Sequence, residues 1–422
     1  MSKTYVTILG KAVRAAARMR GGGSALPGLV VERIDPAFIK NTLAPLSHGV
    51  VVISGTNGKT TTTKMVVELL ESQGLRVFTN RTGSNFTRGV AAALLGEINL
   101  RGELKADIAV LELDEAHAVH FVKTIPPRYS LILNVMRDQL DRFGEIDATA
   151  NMLRAIALST TLAVVLNRED KRIAKLQSSL TTQQVRFFGL SPRLVAIFPS
   201  DDNLHGGIKQ SSNIKADVEL TSFEGDKATF NIDGQAITTH LLLNGIYNVF
   251  NAAAALTLVR TIIGDTVDNK KLLASLAKVT PAFGRGESLV VDGQPVELVL
   301  VKNPSGFRLG LESFKPTSYA TMIAINDNYA DGRDMSWLWD VNFDSLRSTG
   351  VDQLSGIRAY DMALRLQYDE IKIVNIEPDL TRALKRFLLA NKSKPKRIYC
   401  TYTAMLALRR QLAKITKVET IE

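Results

Sequence analysis

The stretch Val50-Val-Val-Ile53-Ser-Gly55-Thr56-Asn57-Gly58-Lys59-Thr60-Thr61 runs from an unbroken apolar segment into a loop of glycines, a lysine and threonines. An apolar run without alternation fits a parallel strand covered on both faces. Glycines at 55 and 58 let backbone N–H groups approach phosphate oxygens, and the positive end of the following helix aims at the same point. In such a loop Lys59, on an exposed turn, bridges the β- and γ-phosphates of a nucleotide, and the Thr60 hydroxyl ligates Mg²⁺. The spacing departs from the common G-x-x-x-x-G-K-[ST] form, because Ile53 stands where its first glycine belongs.

Outward from this loop the same pattern repeats. Ile108–Leu111, Leu131–Asn134 and Leu162–Leu166 are further apolar runs separated by helical periodicity, which predicts a doubly wound α/β core. Residues 185–240 alternate instead, with turns at Gly225-Asp226 and Asp233-Gly234, so an antiparallel appendage is expected there. A helix over 245–263 follows. A second α/β pattern then runs through Val296–Val301, Ala320–Ile325, Gln353–Ile357, Ile371–Val374 and Ile398–Thr401. The expected division is an N-terminal extension over 1–48, a nucleotide-binding unit over 49–284 and a second α/β unit over 285–422. A basic amphipathic helix over Val6–Met19 opens the extension and is broken by Gly21-Gly22-Gly23.

Composition narrows the function classes. The 422 residues, 45% hydrophobic and 22% charged, fit a folded chain of two or three domains. The longest apolar stretch, 241–259, carries Asn244, Asn248 and Asn251, whose amides would be costly in lipid. The N-terminus is strewn with Lys and Arg rather than built around an apolar core, so a cytoplasmic protein is expected. The net charge of +10 suits nucleotides, pyrophosphates or an anionic membrane surface. No aromatic-rich RNA module or zinc finger is evident, so nucleic acid is not the expected partner. The single cysteine, Cys400, excludes an internal disulfide and a multi-cysteine zinc site; it reads as a core thiol.

Carboxylates and amides cluster where the strands end. Glu112 and Glu115 follow the second apolar run, at the C-terminal edge where parallel sheets bind ligands, and are candidates to hold Mg²⁺; capping of the next helix is the plainer alternative. Asn134-Val-Met-Arg137-Asp138-Gln139-Leu-Asp141-Arg142 and Asn167-Arg-Glu-Asp170 occupy the same edge one and two strands later. Asn248 and Asn251 open a helix and could read an adenine or a ribose, or simply cap it. His117 and His120 share a helical face, without a third soft ligand.

Taken together, Gly-Thr-Asn-Gly-Lys-Thr, Asn-x-x-x-Asp-Gln-Leu-Asp-Arg, Gly245-x-Tyr-Asn248-x-x-Asn251 and Gly284-Arg285-x-Glu287 resemble the Mur ligases and folylpolyglutamate synthases. The resemblance implies a Mur-ligase-type ATPase domain with a parallel sheet and a C-terminal Rossmann-like domain. It also implies ATP- and Mg²⁺-dependent activation of a carboxylate as an acyl phosphate. Gly55, Thr56, Asn57, Gly58, Lys59, Thr60, Thr61, Asn248, Asn251 and Arg285 would bind the nucleotide. Thr60, Glu112 and Glu115 would hold the metal.

Gly10–Gly28 and Asn326-Asp-Asn-Tyr-Ala-Asp331-Gly-Arg-Asp334-Met-Ser-Trp337-Leu-Trp339-Asp340 resemble the MurT branch of that family. MurT-type chains pair with a GatD-type glutaminase and amidate the D-glutamate of the lipid II stem peptide, at the inner face of the membrane. The resemblance further implies that an aspartate, Asp331 or Asp334 here and Asp340 next, completes the partner's Cys-His pair; turn chemistry around Asp-Gly is the alternative. Three features depart from the pattern. The middle domain lacks the four cysteines of the zinc ribbon common in this branch, so no zinc is expected. Gln139 stands where other Mur ligases have His. Val299-Leu-Val-Lys302-Asn303-Pro304 replaces their Asp-Tyr-Ala-His-Asn-Pro. A plain amino-acid ligase and a non-catalytic nucleotide-binding scaffold are the competing functions.

Overall fold

The computed structural model describes residues 3–19, 26–80, 86–136, 146–195, 213–242, 246–280, 285–314 and 316–418. Three helices come first: α1 (Lys3–Met19), α2 (Leu26–Ile34) and α3 (Phe38–Leu43). Then β1 (Val50–Ser54), α4 (Lys59–Ser72), β2 (Val77–Thr79), α5 (Thr87–Glu97), β3 (Ile108–Glu112), α6 (Glu115–Thr124) and β4 (Tyr129–Ile132) alternate. They continue with α7 (Ile146–Ser159), β5 (Ala163–Asn167), α8 (Lys171–Ala174), β6 (Gln184–Leu190) and α9 (Pro192–Val195). Strands β7 (Val218–Glu224), β8 (Lys227–Ile232) and β9 (Gln235–His240) precede α10 (Ile246–Ile263) and α11 (Asn269–Leu276).

These nine strands form one sheet in the order β2-β3-β1-β4-β5-β6-β7-β8-β9. The central strand β1 pairs in parallel with β3 (Val51 opposite Val110) and with β4 (Val51 opposite Tyr129). Val51 and Ile53 face α4 and α10, while Val50 and Val52 face a core built by α1–α3 and α5–α7. That two-sided burial is why β1 reads as a continuous apolar run. The antiparallel part begins later than the alternation suggested. β6 is parallel to both β5 and β7, and only the β7–β8 and β8–β9 pairs are antiparallel. The hairpins therefore extend the main sheet rather than standing apart from it. Residues 249–259 of the apolar stretch are buried on α10, and no helix among the described residues is long and apolar enough to cross a membrane.

A second sheet follows from β10 (Arg285–Val291), β11 (Gln294–Leu300), α12 (Pro304–Ser313), β12 (Ala320–Ala324), β13 (Gln353–Ser355), α13 (Ala359–Tyr368), α14 (Leu380–Ala390), β14 (Lys396–Cys400) and α15 (Tyr402–Leu412). Its order is β10-β11-β14-β12-β13, parallel except for the β10–β11 hairpin. Side chains alternate across it. Val299, Ile323 and Tyr399 join a core with α12 and α13, while Leu298, Met322, Ile398 and Cys400 join one with α14 and α15. The expected strand over 371–374 is absent; Ile373 makes one isolated bridge, to Val351.

Candidate active site

The loop between β1 and α4 is shaped by two glycines. Gly55 has φ +134°, with the Asn134 backbone nitrogen 3.0 Å from where a Cβ would stand. Gly58 has φ +87°, and a Cβ there would lie 2.5 Å from the Asn251 amide nitrogen. Side-chain-bearing residues rarely adopt that backbone, and here they would also collide. The close approach brings Asn251, buried on α10, against the loop.

The neighbouring strand end fixes the loop's position. The Thr56 amide donates to the Asn134 carbonyl (3.0 Å), the Asn57 amide to Asn134 Oδ1 (2.9 Å), and Asn134 Nδ2 donates back to the Asn57 carbonyl (2.9 Å). Val135 in turn donates its amide to Asp170 Oδ2 (2.6 Å), and Asp170 Oδ1 caps α8 through the Arg172 and Ile173 amides. Burial pushes the Asp170 carboxyl up to about 6.

Lys59 departs from the exposed position expected of it. It is 6% exposed and folded back on its own loop. Its Nζ donates to the Gly55 carbonyl (2.5 Å) and the Thr56 carbonyl (3.4 Å), and meets Glu115 Oε2 at 3.3 Å. The loop is too tightly wound around the lysine stem to leave it in solvent. Thr60 Oγ1 donates to Glu112 Oε1 at 2.9 Å. Asn80, at the end of β2, brackets the Glu112 backbone by accepting from its amide (3.0 Å) and donating to its carbonyl (2.8 Å).

The oxygen pair of Thr60 and Glu112 suits Mg²⁺, which takes one or two protein ligands and completes its shell with water and phosphate oxygens. No group of three His, Cys, Asp or Glu among the described residues could hold a metal ion, so a site here would lean on substrate oxygens. Glu115 turns to Lys59 and does not cap α6, whose N-cap residue is Asp114. The Thr61 hydroxyl is buried without a hydrogen-bond partner among the described residues, an orphan that a phosphate oxygen would satisfy.

A cleft opens beside the loop. Asn57, Gly58, Asn134, Asn248 and Asn251 line one wall; Lys302, Gly306, Leu309 and Phe314 line the other. Asn303 joins the walls, its Nδ2 donating to Asn57 Oδ1 at 3.2 Å while its own Oδ1 caps α12 at the Gly306 amide (2.7 Å). Asn80 and Asn303 escaped the sequence reading of the site. The only local sign of either is an Asn at a strand end, which is ordinary.

The aspartates of the 326–340 segment are apart from this loop. Asp331 is buried, and accepts from the Thr403 amide (2.7 Å), the Thr403 hydroxyl (2.5 Å) and the Asn328 amide (3.1 Å). Burial raises its carboxyl above the usual range. Asp334 is partly exposed and accepts from the Ser336 amide (2.8 Å); Asp340 is exposed. His117 lies against the Phe86 ring, centroids 5.7 Å apart. Arg137–Gly144, Gly284, His205 and the Arg285 side chain lie outside the described residues.

A phosphate loop on a parallel sheet, facing a second α/β unit across a cleft, defines an ATP-dependent ligase of the Mur type. The Mur ligase middle domain model matches residues 53–259, and the MurT ligase C-terminal model matches 300–405. Solved structures share the fold. MurF from Acinetobacter baumannii superposes with a TM-score of 0.67 at 19% identity, covering 92% of this chain and 80% of that one. Mycobacterium tuberculosis folylpolyglutamate synthase complexed with ADP gives 0.64 at 15% identity, covering 92% and 99%. The chain belongs to the MurT family. It is 31% identical over 430 residues to the lipid II isoglutaminyl synthase (glutamine-hydrolyzing) subunit MurT of Streptococcus pneumoniae, covering 93% of each chain. It is 27% identical to the subunit of the same name from Staphylococcus aureus, covering 89% and 90%.

Proposed function

We propose that this chain is the synthetase subunit of a glutamine-hydrolysing lipid II isoglutaminyl synthase. It amidates the α-carboxylate of D-glutamate in the lipid II stem peptide, using ATP. A carboxylate oxygen attacks the γ-phosphorus and ADP leaves; ammonia then attacks the acyl carbon and phosphate leaves. Lys59, once drawn out of its pocket, and Thr60 with Mg²⁺ would offset the charge on the transferred phosphoryl group. The loop amides and Asn251 would orient the nucleotide. On this reading residues 49–284 carry the ATP chemistry, 285–422 meet the partner, and 1–48 are an N-terminal extension.

Cys400 carries the division of labour. It is the one thiol in the whole chain, fully buried on β14, and burial holds it far toward the protonated form. A thiolate nucleophile for glutamine hydrolysis must therefore come from a second chain, here taken to be a GatD-type glutaminase. An exposed apolar face supports this reading. Trp339, Tyr360, Leu364 and Tyr368 are all exposed along α13 and the turn beside it, and large exposed apolar patches mark protein contacts. Buried Arg365 holds that face together, donating to the Leu338 and Val341 carbonyls beneath the Trp339 ring.

The test is amidation of lipid II by the purified chain with ATP and Mg²⁺. Product should form with ammonium chloride, and with glutamine only after the glutaminase subunit is added. Glutamine use by the chain alone would overturn the division of labour. Amino-acid addition in place of ammonia would restore the plain-ligase alternative.

A further inference from the structure

The positive charge of this chain is concentrated. Residues 380–418 hold eleven Lys and Arg and no Asp or Glu, so this stretch alone exceeds the net charge of +10 and leaves the remainder close to neutral. Three of the eleven turn inward. Lys396 is buried on β14, Arg397 pairs with Glu297 and Arg409 with Glu287. The other eight are exposed on α14, α15 and the segments around them.

The helices are fixed by one face only. Ala383, Leu384 and Phe387 of α14, with Met405 and Leu408 of α15, pack on the second sheet. The outward side of α14 presents Lys385 and Arg386 around a shallow concavity floored by Leu389 and Ala390. Leu389 and Ile415, at the far end of the α15 segment, are both exposed amid these cations. Neutralising acids are few. Arg382 bonds Glu377 and lies 3.9 Å from Asp379, and Asp292 lies near Lys396.

We propose that the α14–α15 face is a docking surface for an anionic lipid bilayer. The inference rests on the reading of a lipid-linked acceptor, which requires the enzyme to work at a membrane. Clusters of four to eight Lys or Arg on an amphipathic helix attract anionic headgroups, and interspersed aliphatic side chains enter the headgroup layer. A single-stranded nucleic acid would instead need stacking aromatics; among the exposed large side chains of residues 380–418 the only aromatic is Tyr402. The docking face is also well placed. It covers the side of the second sheet opposite α12, which lines the cleft, and opposite α13, which carries the aromatic face. Binding a bilayer there leaves both accessible.

The experiment is co-sedimentation of the full chain with phosphatidylcholine vesicles, with and without phosphatidylglycerol. The comparison is with a triple variant, Lys385→Glu, Arg386→Glu and Lys414→Glu, whose fold is checked by thermal melting. Wild type should bind only the anionic vesicles and be released by salt. The variant, melting as wild type, should bind roughly a hundredfold more weakly. Equal partitioning of wild type and variant, or equal binding to neutral vesicles, would overturn the proposal. So would patch-dependent binding to an oligonucleotide without binding to vesicles. Single reversals at each position keep the test open if the triple variant fails to fold. Amidation of a water-soluble stem peptide separates the two claims. If vesicles bind but that peptide is not amidated, the functional reading fails and the docking face stands. If the variant amidates the soluble peptide normally and lipid II poorly, both hold.

Discussion

Lys59 Nζ lies 3.3 Å from Glu115 Oε2, with both side chains sealed from solvent. Removing one partner of a buried pair leaves the other charge uncompensated, at about 3 kcal/mol or more. Lys59→Ala should therefore abolish ligation and also lower the melting temperature by several degrees. Lys59→Ala combined with Glu115→Gln should recover the melting temperature but not the activity. If the double variant regains turnover, Lys59 has no role in phosphoryl transfer.

Glu112→Gln separates charge from geometry. The amide oxygen can still accept from the Thr60 hydroxyl, which meets Glu112 at 2.9 Å, so the fold should persist. A neutral oxygen binds Mg²⁺ more weakly than a carboxylate. The expected result is unchanged melting with a Mg²⁺ requirement at least tenfold higher. An unaltered Mg²⁺ titration would remove Glu112 from the metal site.

Asp331 and Asp334, in the loop proposed to face the partner, should behave differently. Asp331→Asn turns an amide N–H₂ toward groups that now donate to the carboxylate, a loss on the order of 1–3 kcal/mol, and should lower thermal stability. Asp334 is partly exposed and accepts from the Ser336 amide in a local turn. If Asp334 orients the partner's histidine, Asp334→Asn should slow glutamine-dependent amidation by orders of magnitude. Turnover with ammonium chloride should be intact. Loss of both activities would assign Asp334 to the ligase or the fold, and unchanged glutamine use would move the search to Asp340.

Asp170 gives a pH signature. Its folded carboxyl, pushed up to about 6 by burial, sits above the ordinary aspartate value of 3.8. The folded state therefore binds the proton more tightly than the unfolded chain. The resulting stabilisation is complete below about 4 and is lost as pH rises through about 6. Because the carboxyl keeps some solvent contact, the contribution is on the order of 1–2 kcal/mol. Melting curves from pH 4 to 7 should show this increment in wild type and not in Asp170→Asn. Parallel slopes for the two proteins would refute it.

The nucleotide loop was legible because its signals are local: an apolar strand, two glycines that the backbone needs at positive φ, and a helix that begins at once. The two-sided cores were legible for the same reason, since burial writes itself into periodicity. What escaped depends on distant pairing. Asn80 is separated by 32 residues from Glu112, which it brackets, and nothing near Asn80 announces that partner. The continuity of β6 with β7 is a matter of register between strands, which alternation along one strand does not specify. Lys59 reads as exposed because loop lysines usually are; here the turn closes around it. The apolar run at 371–374 borders the sheet beyond β13, and Pro378 and Asp379 soon turn the chain into α14.

The amide pair of Asn57 and Asn303 across the cleft bears on the rhythm of the enzyme. Each amide carries a donor and an acceptor, so the clasp is neutral and self-complementary, and parting it forfeits only about 1 kcal/mol per hydrogen bond. Parting the two walls at this point therefore meets a low threshold. That threshold is indifferent to ionic strength and to pH, because no charge is made or broken there. Salt would therefore weaken the proposed contact with an anionic surface while leaving this clasp unchanged.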